Sequence, residues 1–411
     1  MVNSMQWVNA LSTQASLEAA VREVVERATA QLDGAPDLAI VFISAAFGSE
    51  YSRLMALMRD RLWVPALVGC GGGGIIGQGA DGRIQELEDV PALSLTLAKL
   101  PTGATVRAFH VPGDRMPDLD APPDAWVELV GVAPEQRPNF ILLADPALRE
   151  INDLVQGLDF AYPGSVTVGG LASGGPMPTA RTVFHNYSRH QEGTVGLALA
   201  GKVTIEPIVA QGCRPIGEPF RVVESDRNVM IAIADANGDG RDKPLFALRK
   251  LVDTLDEGDR ELAQSALFVG IARDEFRTTL RPGDFLIRNL MGYDPESGAL
   301  AVGDRIRPGQ RIQFHLRDAQ ASAQDLTALL EQYCHEQDPC KPAPIGALLF
   351  ACLGRGENLY EEAHFDSRLF QKYVGEIPVS GFFCNGELGP VGGSTFVHGY
   401  TSVFGIIRER D

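Results

Sequence analysis

GCGGGGIIGQG, residues 69–79, is the stretch on which the fold turns. It follows an apolar strand at 64–68. That strand follows a helix over 50–61 and an earlier apolar strand at 38–43. Residues 91–97 then read as a third strand. The order strand, helix, strand, glycine-rich segment, strand comes twice more. The second instance is 140–144, 147–158, 165–168, GGLASGG from Gly169, and 194–199. The third is 345–352, 366–374, 378–380, GFFCNGELGPVGG from Gly381, and 400–407. This predicts an internally repeated strand-helix-strand-glycine-loop unit and a mixed α/β (α+β) class, with helices layered on sheets.

Outward from these units, residues 16–32 place Leu17, Ala20, Val21, Val24, Val25 and Ala28 at helical spacing, and Gly34-Ala35-Pro36 ends that helix. Between the second and third units the pattern changes. Residues 229–234 and 266–272 are strands flanking a helix at 244–255. Strands at 284–290, 299–302 and 311–316 are separated by turn sequences, which predicts an antiparallel section in the C-terminal half. A helix at 321–335 and the rigid connector PCKPAP (339–344) lead back to the repeat. The expected division is an N-terminal helical segment at 1–34, one domain at 35–222 and another at 223–411.

The 411 residues carry 36 Lys and Arg against 53 Asp and Glu, a net charge of −17. Such a surface repels phosphate backbones and anionic lipid, so neither nucleic acid nor membrane is an expected partner. The N-terminus has no basic stretch ahead of an apolar run, and no apolar segment is long enough to span a bilayer. Six cysteines are too sparse for a disulfide scaffold, and a reducing cytoplasm is the expected compartment.

Several motifs imitate known sites without completing them. Gly72-x-Gly74-x-x-Gly77 matches a dinucleotide fingerprint in letters, but the turn-rich residues 78–88 do not open a helix. Asp235-Ala-Asn237-Gly-Asp239-Gly240 resembles the start of a calcium loop, yet Phe246 stands where a bidentate Glu is required. The expectation there is a tight turn. Cys334, His335 and Cys340 lack a zinc spacing. His185 and His190 are expected in a solvated polar loop. No metal or cofactor is expected.

The C-terminal third is richer in polar residues beside apolar strands. Cys352-Leu-Gly354-Arg355-Gly356 ends one strand, Cys384-Asn385-Gly386-Glu387 follows the next, and His398 precedes the last. If these strands are neighbours, all three loops leave one end of one sheet, where open α/β sheets bind ligands. Arg355 would grip a carboxylate and Glu387 an ammonium group, with Asn385 and His398 orienting. Backbone at Cys70, Gly71 and Gly72, or at Gly212 and Cys213, would complete the pocket. A rival reading takes Cys384 as nucleophile, His398 as base and Glu387 as orienter of a thiol-dependent hydrolase or transferase. The turn-forming residues after Cys384 argue against it, because a reactive cysteine usually opens a helix.

The stretch GFFCNGELGPVGGSTFVHGYTSVF (381–404) resembles the closing signature of the FIST C-terminal domain, and FACLGRG (350–356) and GDGRDKPL (238–245) fit the same domain. LVGCGGGGIIGQG (67–79), TVGGLASGG (167–175) and QGCRPIGEP (211–219) resemble the FIST N-terminal domain. The resemblance implies a sensory module of signal transduction that binds a small ligand, with amino acids as suggested ligands, and that is fused to an F-box in eukaryotes. It supplies no catalytic residues. No output domain is recognisable here, so a signal would pass to a separate partner protein.

Overall fold

The computed structural model describes residues 4–175, 179–273, 280 and 282–410. The chain forms two compact units, Met1–Ala210 with Ala328–Asp411, and Gln211–Thr327. The first unit is built from three copies of one element order, strand-helix-strand-helix followed by four strands. The first copy is β1 (Gln6–Ser12), α1 (Leu17–Thr29), β2 (Leu38–Ser44), α2 (Tyr51–Arg59), β3 (Ala66–Gly72), β4 (Gly74–Gln78), β5 (Ile84–Glu88) and β6 (Leu93–Lys99). The second is β7 (Ala104–Val111), α3 (Pro123–Val130), β8 (Asn139–Ala144), α4 (Ile151–Ala161), β9 (Thr167–Leu171), β10 (Val183–His185), β11 (Ser188–His190) and β12 (Thr194–Gly201).

The third copy opens with β13 (Val203–Ala210) and is then interrupted by the second unit. That insert holds β14 (Arg214–Asp226), β15 (Val229–Ala234), α5 (Pro244–Asp253), α6 (Glu257–Ala263), β16 (Leu267–Ala272), β17 (Phe285–Tyr293), β18 (Leu300–Val302) and β19 (Arg311–Leu316). The copy resumes with α7 (Ala319–His335), β20 (Gly346–Cys352), the single turn α8 (Glu357–Tyr360), α9 (Phe365–Val374), β21 (Val379–Cys384), β22 (Glu387–Val391), β23 (Ser394–His398) and β24 (Ser402–Glu409). The antiparallel section is the insert, whose six strands close into a barrel in the order β14-β15-β18-β17-β16-β19.

Pairing repeats as faithfully as order. In each copy the first two core strands run parallel, β2 with β3, β8 with β9, and β20 with β21. Gly69, Gly169 and Gly381 hold the same register position, opposite Val41, Leu142 and Leu349. A Cβ at these glycines would lie 2.2, 1.9 and 1.8 Å from the carbonyl oxygens of those partners, so only glycine fits.

Beyond this position the chain leaves its own sheet. Hairpin β4–β5 adds to β21, hairpin β22–β23 adds to β9, and hairpin β10–β11 adds to β3. Each copy thus donates a hairpin to another in a closed cycle. The result is three six-stranded sheets, β1-β6-β2-β3-β10-β11, β7-β12-β8-β9-β22-β23 and β13-β24-β20-β21-β4-β5. Inner-face residues of all three, including Phe42, Val68, Ile141, Val168, Leu197, Phe350 and Phe382, share one apolar core. Phe382 stacks on Phe42 at 5.1 Å and meets Phe350 edge-on at 5.9 Å.

Several details depart from the sequence-based expectation, among them His185 and His190, which lie on the paired strands β10 and β11 with their Nε2 atoms buried and not in a solvated loop. The glycine runs are not loops throughout, since β3 continues to Gly72, β9 to Leu171 and β21 to Cys384. Backbone hydrogen bonds keep glycine in a strand when a neighbour crowds the Cβ position. Residues 6–12, ahead of the first helix, form β1, an edge strand beside β6 with six of its seven residues buried. Asp235 caps its turn as expected, its Oδ1 accepting from Asn237 and Asp239 backbone N–H groups at 3.0 and 2.8 Å. No helix of the described residues is long and apolar enough to cross a membrane.

Candidate functional site

The three C-terminal loops do leave one end of one sheet, because β24, β20 and β21 are neighbours and β24 runs antiparallel to β20. What their side chains do there differs from an open pocket. Arg355 is fully buried, and its fork is taken by Asp366, with Nε to Oδ2 at 2.9 Å and Nη2 to Oδ1 at 3.0 Å. Nη2 also bonds the Tyr360 hydroxyl, and Ser402 Oγ donates to Asp366 Oδ2. The carboxylate expected from a ligand is therefore supplied by the first turn of α9. Gly354 and Gly356 flank Arg355, and Gly356 adopts φ 65° against the Glu88 carboxylate, where a Cβ would come within 2.1 Å.

Glu387 and His398 sit directly opposite each other on β22 and β23, both buried. Glu387 Oε2 accepts from Thr401 N–H at 3.1 Å, and His398 Nε2–H donates to Gly389 O at 3.0 Å. Arg355 and Glu387 both brace residues 400–402, since Arg355 Nη1 lies 3.4 Å from Tyr400 O and Glu387 Oε2 accepts from Thr401 N–H. Asn385 is exposed and ties two copies together, its Nδ2 donating to Ala172 O at 3.0 Å. Cys352 and Cys384 are register partners on β20 and β21. Burial pushes the Cys384 thiol well up, and the charges of Glu387, Cys70 and Cys352 add to this. Burial does the same to Cys70. Thiols held protonated in this way are poor nucleophiles until a base takes the proton.

Gly71 and Gly72 lie at the crossing where β3 hands over to β4. Ser173 N–H donates to Gly71 O at 3.0 Å, and Ser173 Oγ accepts from Gly73 N–H at 2.8 Å. Gly212 and Cys213 belong to the second unit, where Gly212 N–H donates to Asp325 at 2.8 Å and Gly212 O accepts from Ser322 at 2.9 Å.

A groove opens at the seam between hairpin strand β5 and helix α9. The repeat makes this seam comparable with two others. At β11–α2, the Tyr187 hydroxyl donates to Leu62 O at 2.9 Å and accepts from Val64 N–H at 2.8 Å. At β23–α4, Asp159 accepts from Thr395 N–H and Oγ1 at 2.6 and 2.8 Å. These contacts tie each hairpin to the segment beside it. At β5–α9 a groove of about 890 Å³ lies beside the Glu86–Ser367 contact, walled by Asp81, Arg83 and Gln85 on one side and by His364, Arg368, Lys372 and Glu376 on the other.

Beneath this groove lies Glu86, a residue on which no expectation was placed. Its Oε1 accepts from Ser367 N–H at 2.6 Å, while Oε2 is buried without a hydrogen-bond partner. Burial and then the Asp366 charge push its carboxyl up, against the bonds from Ser367, to about 7. Burial also pushes Asp366 up, but the Arg355 charge and the bonds from Arg355, Ser402 and Tyr360 reverse this and hold it below the usual carboxylate range. His364 Nδ1 lies 2.9 Å from Glu86 N and 3.1 Å from Glu86 O, so the backbone beside this carboxyl fixes one edge of a ring that lines the groove. The pattern IQELE (84–88) carried a signal, because strand alternation places Glu86 on the same buried face as Ile84. Asp366 likewise shares a helix face with Phe370, four residues on.

Family models place this architecture. The FIST N domain model matches residues 37–236 and the FIST C domain model matches residues 247–390. The chain belongs to the FIST family. An uncharacterised protein of Mycobacterium tuberculosis is 33% identical over 395 residues, covering 95% of this chain and 97% of its own. Another from Mycobacterium bovis is 33% identical over 396 residues, covering 96% of each. An F-box/LRR-repeat protein of Arabidopsis thaliana is 30% identical over 137 residues, 30% of this FIST chain and 26% of that protein. Among solved structures, a cyanuric acid hydrolase from A. caulinodans aligns over 99% of both chains at 10% identity, with a TM-score of 0.35. Among the described residues of this FIST protein, no group of three or more His, Cys, Asp or Glu side chains is arranged to hold a metal ion.

Proposed function

We propose that this FIST protein is a cytoplasmic sensory protein that binds a small polar ligand, an amino acid or small carboxylate, in the groove between β5 and α9. FIST domains are associated with sensory small-ligand binding. The observation that carries the site is the amphoteric lining. Arg83, Arg368 and Lys372 place cations, Asp81 and Glu376 anions, and Gln85 an amide around one groove, with Arg368 paired to Glu362 and Arg83 lying 3.9 Å from Asp81. A zwitterion needs both signs within a few ångströms, whereas a simple anion would not call for the two acids.

In this reading Arg355 positions rather than contacts the ligand. It holds Asp366, and through it the start of α9, which forms one wall. Glu387, His398 and Asn385 brace the adjoining loops in the same way. A partner protein, not yet identified, would read the occupied state.

The test is a thermal-shift series over the amino acids and small carboxylates. A true ligand at a hundredfold excess over its Kd stabilises by about 2.7 kcal/mol. Lys372→Glu and Arg368→Glu, at exposed positions, should leave the unliganded melting temperature in place and abolish the response. A ligand whose response survives both reversals binds elsewhere and overturns the groove assignment.

A further inference from the structure

Three of the seven histidines meet at a place unconnected with the groove. His110 on β7, His185 on β10 and His190 on β11 have ring centroids 3.9 Å apart for His110–His190, 6.3 Å for His110–His185 and 6.2 Å for His185–His190. The rings stack and tilt rather than converge on one point, in keeping with the absence of a metal-holding group among the described residues. We propose that this cluster is a pH-operated latch that holds the β10–β11 hairpin against the edge of β3 at neutral pH and releases it in mild acid.

Placement is the first support. The hairpin is the element that the second copy donates to the first. Its strands are three residues each, and it is held through Val183, Phe184 and His185 opposite Cys70, Gly69 and Val68. His110 shares its strand face with Val106 and Ala108, which pack on the shared core, and His185 shares a face with the core residue Val183. The three imidazoles therefore lie between a donated hairpin and the neighbouring sheet. A short hairpin with few ladder bonds is the kind of element that opens first.

The second support is the lack of a counter-charge. His110 Nε2–H donates to the carbonyl oxygen of Glu192 at 3.2 Å, and His185 bonds the Ala108 carbonyl. The Nε2 atoms of His185 and His190 are buried without partners. Charged groups on the packed elements are otherwise engaged. Arg181 forms a bidentate pair with Asp145, Arg189 bonds Thr182 Oγ1, Arg59 of α2 lies over the Tyr187 ring, and Arg107 bonds Val130 O. From β12 and β3 the register partners of His110 and His185 are Val195 and Val68. Burial, then the neighbouring imidazoles, lower His190 to about 4, and His185 is lowered mainly by burial.

The sign follows directly. A histidine with a depressed folded value contributes stability that is present above the unfolded value near 6.5 and is lost as pH falls toward about 4. Two imidazolium ions at these separations repel; of the neighbouring carboxylates, Asp145 is held by Arg181, and the exposed Glu192, whose charge also acts on Arg181, gives His110 its backbone carbonyl.

Hydrogen exchange at pH 7.5 and pH 5.0, corrected for intrinsic rates, tests this on the whole protein. Amides of 183–190 should lose protection by more than about tenfold at the lower pH, while those of β2 change by less than about twofold. His190→Gln should keep the hairpin protected at pH 5.0. His110→Asn serves the same purpose if the first variant does not fold. Equal hairpin protection at both values, or equal loss in wild type and variant, overturns the latch. So does a wild-type titration by NMR in which all three imidazoles protonate near 6.5.

Discussion

Replacing Arg355 with methionine isolates the buried ion pair on which the C-terminal half of the site rests. Arg355 and Asp366 are 0% and 1% exposed, so neither charge has water to fall back on. Removing one partner of such a pair typically costs about 3–5 kcal/mol, because the other charge is stranded. The escape route gives an independent figure. Asp366 can take up a proton, and doing so at pH 7.5 from an ordinary value near 4 costs about 5 kcal/mol. The two figures agree, so Arg355→Met should lose about 3–5 kcal/mol at pH 7.5. At pH 5.5 the same protonation costs about 2 kcal/mol, so the deficit should shrink by about 2–3 kcal/mol. Glu86 sharpens the effect, since two buried carboxyls then compete for protons without a cation between them. Urea unfolding followed by far-ultraviolet circular dichroism at both pH values reads this. The double variant Arg355→Met/Asp366→Leu should recover most of the loss. A deficit below about 1 kcal/mol at pH 7.5, with ligand binding abolished, would refute the positioning role and restore Arg355 as a ligand contact.

Other outcomes follow from the same geometry. Glu86 has its carboxyl raised from 4.5 to about 7, so its contribution to stability is full below about 4.5 and is lost as pH rises through 7. That interval corresponds to about 3 kcal/mol, and Glu86→Gln should flatten the stability profile between pH 5 and 8 and raise stability at pH 8. A Gln variant with an unchanged profile would show that Glu86 is not the titrating group. Gly381→Ala places a Cβ 1.8 Å from Leu349 O. It should prevent soluble expression or cost several kcal/mol in urea unfolding, as should Gly69→Ala and Gly169→Ala, whereas Gly393→Ala, where nothing lies within 4 Å of the added Cβ but φ is 87°, should cost about 1 kcal/mol.

The repeat was legible because its signals are local. Apolar runs such as 38–43 and 140–144, amphipathic helices such as 147–158, and glycines at Gly69, Gly169 and Gly381 each declare themselves within about fifteen residues. The antiparallel pairing of residues 284–316 was legible for the same reason, through its turn residues, but not that the section is an insert. The candidate site was less so. Arg355 stood out between two glycines, but its partner Asp366 is eleven residues on, past a single turn of helix, and nothing local distinguishes a partner within the chain from a ligand's carboxylate.

What the sequence alone determined, then, is the middle of each unit, two strands joined by a helix and the glycine where the backbone must come close, and not the opening strands β1, β7 and β13 or helix α3. Only the tertiary structure decided how the units close on one another. The donated hairpins β4–β5, β10–β11 and β22–β23 pair with strands of other copies, across separations of more than a hundred residues. Strand pairing is a contest among many edges of similar hydrogen-bonding capacity, settled by the total burial of the whole unit and not by any local preference. The same holds for Glu86, an acid in a short alternating strand whose burial depends on α9 arriving from nearly three hundred residues away.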